Sequence, residues 1–246
     1  MRRTIKLTLA YDGASFHGWQ IQPNQPTIQA EVMRALEEVT DARTHVDASG
    51  RTDAGVHALA QVASFHTEAR IPCENLVKAL NRLLPSSIRV LAAEDVDHGF
   101  HARFQAKAKT YRYRIYRGEI CLPHLWPQVH QYPYPLDVEA MRRAAALFAG
   151  EHDFTSFAAT QELPEGSRVR TLYTSNLMQQ EQELVYTVRG SGFLHRMVRN
   201  IVGTLMEIGK GNLRPEDVPR ILEARDRTAA GPTAPAKGLW LVSVEY

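Results

Sequence analysis

The order in which two hydrophobic periodicities follow one another constrains this chain more than any other feature. Residues 5–11, Ile-Lys-Leu-Thr-Leu-Ala-Tyr, alternate apolar and polar and predict a strand, closed by Asp12-Gly13. From Ile28 the spacing changes. Ile28, Val32, Ala35, Leu36 and Val39 form a helical stripe, and Thr27 stands where it can cap that helix. Residues 45–48 and 58–65 return to strand. Pro72 precedes a second helix with Leu76, Val77, Leu80, Leu83 and Leu84 on one face, and Pro85 stops it. Residues 88–93 make a fourth strand. The order β-α-β-β-α-β is the split βαβ, or ferredoxin-like, arrangement.

The second half repeats that order without repeating its residues. Residues 108–116 predict a strand with Tyr111, Tyr113 and Ile115 on one face and Arg112 and Arg114 on the other. Asp137 caps a helix carrying Val138, Met141, Ala145 and Phe148, which Gly150 ends. Residues 168–178 and 184–189 predict two strands. Residues 193–209 predict a helix with Leu194, Met197, Val198, Ile201, Leu205 and Ile208 inward, and a short helix starts near Pro215. Residues 239–244 are the last strand. The expectation is an α+β fold of two tandem ferredoxin-like halves, residues 1–105 and 106–246. Its sheet is predominantly antiparallel, with an active-site cleft between the halves.

The densest polar cluster with apolar borders is residues 48–58, Ala-Ser-Gly-Arg-Thr-Asp-Ala-Gly-Val-His-Ala. Glycines bracket Arg51-Thr52-Asp53 and let a backbone turn or a ligand approach closely. Asp53 therefore sits on a connection between two strands, beside the Arg51 guanidinium and loop N–H groups that suit a carboxylate. By composition alone the stretch is also an ordinary hairpin turn, since Asp and Gly are turn residues.

A second stretch, residues 190–200, reads Gly-Ser-Gly-Phe-Leu-His-Arg-Met-Val-Arg-Asn. A glycine turn feeds a helix N-terminus, where free N–H groups attract anions. His195, Arg196, Arg199 and Asn200 lie off the apolar stripe, with Arg199 one turn in and on the side of His195. A solvated basic helix face fits the same pattern.

Charge supports a nucleic-acid partner only through its distribution. The formal net charge is +2. Yet Arg103, Lys107, Lys109, Arg112, Arg114 and Arg117 follow one another with no acidic residue among them. Such a stripe attracts phosphate even on a nearly neutral chain. The two cysteines, Cys73 and Cys121, are far apart and have no Cys-x-x-Cys partner, so neither a zinc site nor a disulfide framework is expected. No apolar run approaches the ~20 residues of a membrane span. The first residues enter a strand pattern directly. A cytoplasmic protein with no signal peptide is the expectation.

Residues 50–57, Gly-Arg-Thr-Asp-Ala-Gly-Val-His, resemble the active-site signature of the tRNA pseudouridine synthase A family. Four further motifs agree with it in order. They are Tyr11-Asp12-Gly13 with Phe16, Gly18-Trp19-Gln20 and Gln22; Phe100 to Phe104 with Lys109 to Tyr113; Gly192-Phe193-Leu194 with Met197-Val198-Arg199; and residues 231–239. Residues 161–166 have no counterpart among these motifs, which leaves the role of the 158–168 loop open.

The resemblance implies a fold, a reaction and a site. Uridine in the anticodon stem-loop of tRNA, at positions 38, 39 and 40 in the family, becomes pseudouridine with no cofactor and no metal. Asp53 is then the catalytic carboxylate, Tyr111 contacts the uracil ring, Arg199 pairs with Asp53, and Leu239 walls the pocket. Arg51 is the candidate for filling the space that the flipped base vacates. Lys107, Lys109, Arg112, Arg114, His195 and Arg196 are candidates for RNA contacts. The resemblance also implies a homodimer in which one tRNA reaches both subunits.

Residues 120–136 carry four prolines, so little regular structure is expected there. They also carry Leu122, Leu125, Trp126, Val129, Tyr132 and Tyr134, too much apolar surface to leave in water. The segment either folds back over its own half or joins a dimer contact, with Trp126 as its anchor.

Overall fold

The computed structural model describes residues 2–159 and 168–246; the open question about the 158–168 loop falls largely outside them. It is a mixed α/β fold with mostly antiparallel pairing, divided into two compact units, 1–107 with 240–246, and 108–239. Residues 240–246, expected in the C-terminal half, thus belong with the first unit.

In the first unit the predicted order of elements is present. They are β1 (Arg3–Tyr11), α1 (Ile28–Thr40), β2 (Asp47–Ala48), β3 (His57–Thr67), α2 (Cys73–Leu83) and β4 (Ile88–Val96). β1 lies between β4 and β3 and is antiparallel to both, and β2 pairs antiparallel with β3. The alternation of β1 puts Ile5, Leu7 and Leu9 in the core with no exposed surface. The helix α1 buries Ile28, Val32, Ala35 and Leu36, and α2 buries Leu76 and Leu80; α2 packs on β4, and α1 on α2. Thr27 caps α1 as predicted, its hydroxyl accepting the Ala30 N–H at 3.4 Å. The chain's last strand, Leu239–Glu245, runs parallel to β3, with Trp240 opposite His57 and Leu241 opposite Ala58.

The second unit holds β5 (Ala108–Tyr116), β6 (His130–Gln131), α3 (Val138–Ala146), β7 (Gly150–Asp153), β8 (Val169–Gln180), β9 (Glu183–Gly190), α4 (Met197–Gly209) and α5 (Asp217–Ala224). β9 pairs antiparallel with β5 and β8, and β7 with β8. Asp137 caps α3 by accepting the Ala140 N–H at 2.9 Å. Two expectations need correction. The helix α3 ends at Ala146, and Gly150, at φ +110°, opens a strand instead. The helix expected from residue 193 starts only at Met197, because Arg196 takes a left-handed φ of 60° and breaks the ladder. In residues 120–136 regular structure is confined, as expected, to a short 3-10 turn (Trp126–Gln128) and β6, and Val129 is fully buried.

Candidate functional site

The Asp53 loop is held from below by side chains and from the side by backbone. Arg51 is exposed, Thr52 buried and Asp53 half-buried, so the carboxylate and the guanidinium flank an inward-facing threonine. Thr52 Oγ1 lies 2.9 Å from the Tyr11 hydroxyl. Gln61 Nε2 donates to the Gly50 carbonyl at 2.9 Å and to the Tyr11 oxygen at 3.4 Å. The Ser49 hydroxyl donates to Gln61 Oε1 at 2.6 Å, which fixes the orientation of that amide. Burial pushes the Tyr11 hydroxyl up to about 12, so it stays protonated and keeps a hydrogen to donate.

The backbone contacts come from the loop after β1. Trp19 N–H donates to the Thr52 carbonyl at 3.0 Å, and Gly55 N–H to the Phe16 carbonyl at 3.3 Å. A Cβ on Gly13 would stand 2.0 Å from the Val56 oxygen. One on Gly18, whose φ is +88°, would stand 2.5 Å from the Thr52 oxygen. Glycine at both positions is what lets the two loops touch. His57 closes the loop; it is fully buried, stacked on Trp240 at 4.4 Å between ring centroids.

In the second unit, β5 turns Tyr111 inward as its alternation predicts, leaving the residue 8% exposed. The Phe193 ring meets the Tyr111 ring edge-on, 4.9 Å between centroids. Arg199 lies in the first turn of α4, and its Nε donates to the Ala234 carbonyl at 2.8 Å. His195 and Arg196 precede the helix and are exposed, so the expected shared helix face of His195 and Arg199 does not form. Leu239 is buried at 6% exposure.

The loop holding Arg199 is anchored on α4. Buried Asn200 accepts from Thr233 Oγ1 at 2.7 Å and from Arg227 Nη2 at 3.2 Å, and donates to the Phe157 carbonyl at 2.7 Å. Gly231 N–H donates to Thr204 Oγ1 at 2.9 Å. A Cβ on Gly203 would stand 1.6 Å from the Pro232 oxygen, so helix and loop backbones run in direct contact.

The basic stripe divides. Lys107 and Arg112 are exposed and Lys109 half-buried. Arg114 is half-buried, and its Nε and Nη2 donate to both carboxylate oxygens of Glu183 at 2.8 and 2.6 Å, a bidentate pair. The buried residues Tyr11, Ser49, Gln61 and Asn200 were not singled out by sequence reasoning for these contacts. Polar residues inside apolar strands and helices were their one available signal.

A family model for tRNA pseudouridine synthases matches residues 8–105 and 144–246. The tRNA pseudouridine synthase A of Solibacter usitatus is 54% identical over 246 residues, 99% of this chain and 100% of its own. That of Acetivibrio thermocellus is 43% identical over 244 residues, again 99% of this chain and 100% of its own. This chain belongs to the tRNA pseudouridine synthase family. Among solved structures, a chain of a Cbf5-Nop10-Gar1 complex aligns with 82% of this chain and 45% of its own at 13% identity and a TM-score of 0.35, a likeness too loose to carry an argument. No helix among the described residues is long and apolar enough to cross a membrane.

Proposed function

We propose that this enzyme isomerises uridine to pseudouridine in the anticodon stem-loop of tRNA, at positions 38, 39 and 40, without a cofactor, and that Asp53 is its catalytic carboxylate. The observation that carries this reading is the end-to-end match to tRNA pseudouridine synthase A sequences. The two halves are read as tandem ferredoxin-like folds, and the working protein as a cytoplasmic homodimer whose subunits share one tRNA.

The residue types suit the reaction. The N–C glycosidic bond of uridine breaks, the uracil turns, and its C5 bonds to the same sugar carbon; the C5 proton leaves and the freed ring nitrogen takes one up, so that the product is an isomer. Asp53 acts on the ribose, by attack on the sugar carbon or by removing a sugar proton. Arg199 is its cationic partner and aims it. Tyr111 offers its ring to the uracil, with Phe193 holding that ring from the edge, and Leu239 supplies apolar wall. The target base must leave its stack, at a cost of a few kcal/mol, and Arg51 fills the space it vacates. Lys107, Lys109, Arg112, Arg114, His195 and Arg196 provide phosphate contacts, which set affinity without reading the base.

Unmodified tRNA carrying tritium at uracil C5 tests the reading. Release of the label with the chain intact is expected. Release of free uracil would make the protein a hydrolase, and neither product would make it a binder. Asp53→Asn is expected to abolish turnover while leaving tRNA affinity within a few-fold, since affinity rests on the basic residues. Turnover persisting at a tenth of the wild-type rate or more, on the order of 1.4 kcal/mol of barrier, would remove Asp53 from the chemistry.

A further inference from the structure

We propose that Tyr11, Thr52 and Gln61 are positioning residues for Asp53: their hydrogen-bonded chain, rooted at Ser49, fixes where the carboxylate stands. The proposal rests on the reading of Asp53 as the catalytic group.

The four side chains are buried polar groups at a place where apolar ones would pack. Ser49 and Gln61 have no exposed surface, Tyr11 is 3% exposed and Thr52 7%. Burying four polar groups is costly unless each is satisfied, and a satisfied network instead fixes a single arrangement. Here every member is engaged. Ser49 donates to Gln61, Gln61 donates to Tyr11 and to the Gly50 carbonyl, and Tyr11 faces Thr52. Tyr11 and Thr52 share one hydrogen bond between their hydroxyls, in which either oxygen can be the donor.

The chain also has a rigid base. Tyr11 and Gln61 stand on β1 and β3, which pair with each other, Leu9 opposite Gln61 and Tyr11 opposite Ala58. A group supported by a sheet keeps its geometry better than one supported by loop alone. The network touches Ser49, Gly50 and Thr52, three of the four residues before Asp53. Thr52 is gripped twice, at its hydroxyl by Tyr11 and at its carbonyl by Trp19 N–H at 3.0 Å. That carbonyl belongs to the peptide joining Thr52 to Asp53. A shift at Thr52 is therefore passed directly to the carboxylate.

The test uses the full-length protein and an unmodified tRNA transcript, with Asp53→Asn as a parallel control. Tyr11→Phe and Thr52→Val each remove one hydroxyl and keep the volume. Since a displacement of 1 Å costs a reaction about 100-fold, each is expected to lower kcat about tenfold or more. KM for tRNA is expected to stay unchanged. Thr52→Ser, which keeps the hydroxyl, should restore kcat. The double variant Tyr11→Phe/Thr52→Val should be no slower than the slower single, because both break the same bond.

A role in stability alone would lower the melting temperature and leave kcat of the folded protein untouched well below it; that result overturns the proposal. Losses that multiply in the double variant overturn it too. If Tyr11→Phe does not fold, Thr52→Val against Thr52→Ser decides. Inactive Asp53→Asn with wild-type kcat in Thr52→Val removes the brace alone. Active Asp53→Asn removes the underlying reading of the reaction, and this proposal with it.

Discussion

Arg199 and Ala234 hold each other by two hydrogen bonds. Arg199 Nε donates to the Ala234 carbonyl at 2.8 Å, and the Ala234 N–H donates back to the Arg199 carbonyl at 3.1 Å. The first bond occupies Nε and so fixes how the guanidinium plane is turned. Lysine has the charge but no Nε, and its ammonium is a point charge on a flexible stem. On the proposed reading of Arg199 as the partner of Asp53, Arg199→Lys is expected to fold like wild type and lose about 10- to 100-fold in kcat, the loss that misplacing such a partner brings. A tritium-release time course with saturating tRNA measures it. Wild-type kcat in Arg199→Lys would show that the charge alone matters.

The second prediction follows from the same loop. Residues 231–234 lie directly on α4, and an added methyl on Gly203 meets the Pro232 oxygen, a backbone atom that cannot swing aside. Gly203→Ala should therefore cost about 3 kcal/mol, the upper part of the range for overpacking, despite alanine's better helix propensity. Urea unfolding followed by circular dichroism reads this. A more stable Gly203→Ala would mean that the loop moves off the helix without penalty.

These two contacts also mark what was legible in the sequence. The Thr27 and Asp137 caps were, because a cap involves residues three apart. So was the inward set Tyr111, Tyr113 and Ile115, because alternation is local. The start of α4 was not. Leu194, Met197 and Val198 continue a helical apolar spacing straight through the turn that Leu194 and Met197 close, so periodicity cannot see the break at Arg196. Strand β7, Gly-Glu-His-Asp, was invisible because it has no apolar residue to alternate. Asp53, Arg199 and Tyr111 were singled out through motifs. The Tyr11–Thr52–Gln61 chain was not, because its partners stand 41 and 50 residues apart in sequence and meet only across a sheet.

The third prediction concerns pH. His130 lies in a row of rings, 6.4 Å from Tyr113 and 6.3 Å from Tyr132. Burial, with the charges of Lys237 and Lys210 adding to it, pushes its imidazole down to about 4 from an ordinary 6.5. The folded state thus holds His130 neutral while the unfolded chain protonates it first. The contribution to stability is complete above pH 6.5 and is lost as pH falls toward 4. With solvent screening at this half-buried position, it amounts to at most about 2 kcal/mol. Urea midpoints across that window should fall less steeply for His130→Gln than for wild type. Equal slopes would mean that His130 titrates alike in both states.

The last prediction concerns Trp126. Part of its segment folds back on the second unit: Val129 is buried, and His130 and Gln131 pair with β5. Several of its large side chains nonetheless stay exposed. Ile120 is 80% exposed, Tyr134 65%, and Trp126 and Leu122 about half. The Lys237 ammonium sits 3.5 Å above the Trp126 ring, so one face of the indole is covered by a cation from its own chain. An exposed indole fixed in place by a cation meets a partner at a lower entropy cost than a mobile one. If the homodimer forms through this face, Trp126 is its anchor, and Trp126→Ala should raise the dimer dissociation constant by about 30-fold, the loss typical of a hot spot of 2 kcal/mol. The fold should survive, since a half-exposed ring contributes little to the core. Sedimentation over a concentration series, with circular dichroism as the folding control, separates the two effects. A folded Trp126→Ala protein that dissociates at the same concentration as wild type would take Trp126 out of the contact between subunits. The Lys237 pairing would then serve only to pin residues 120–136 to their own unit.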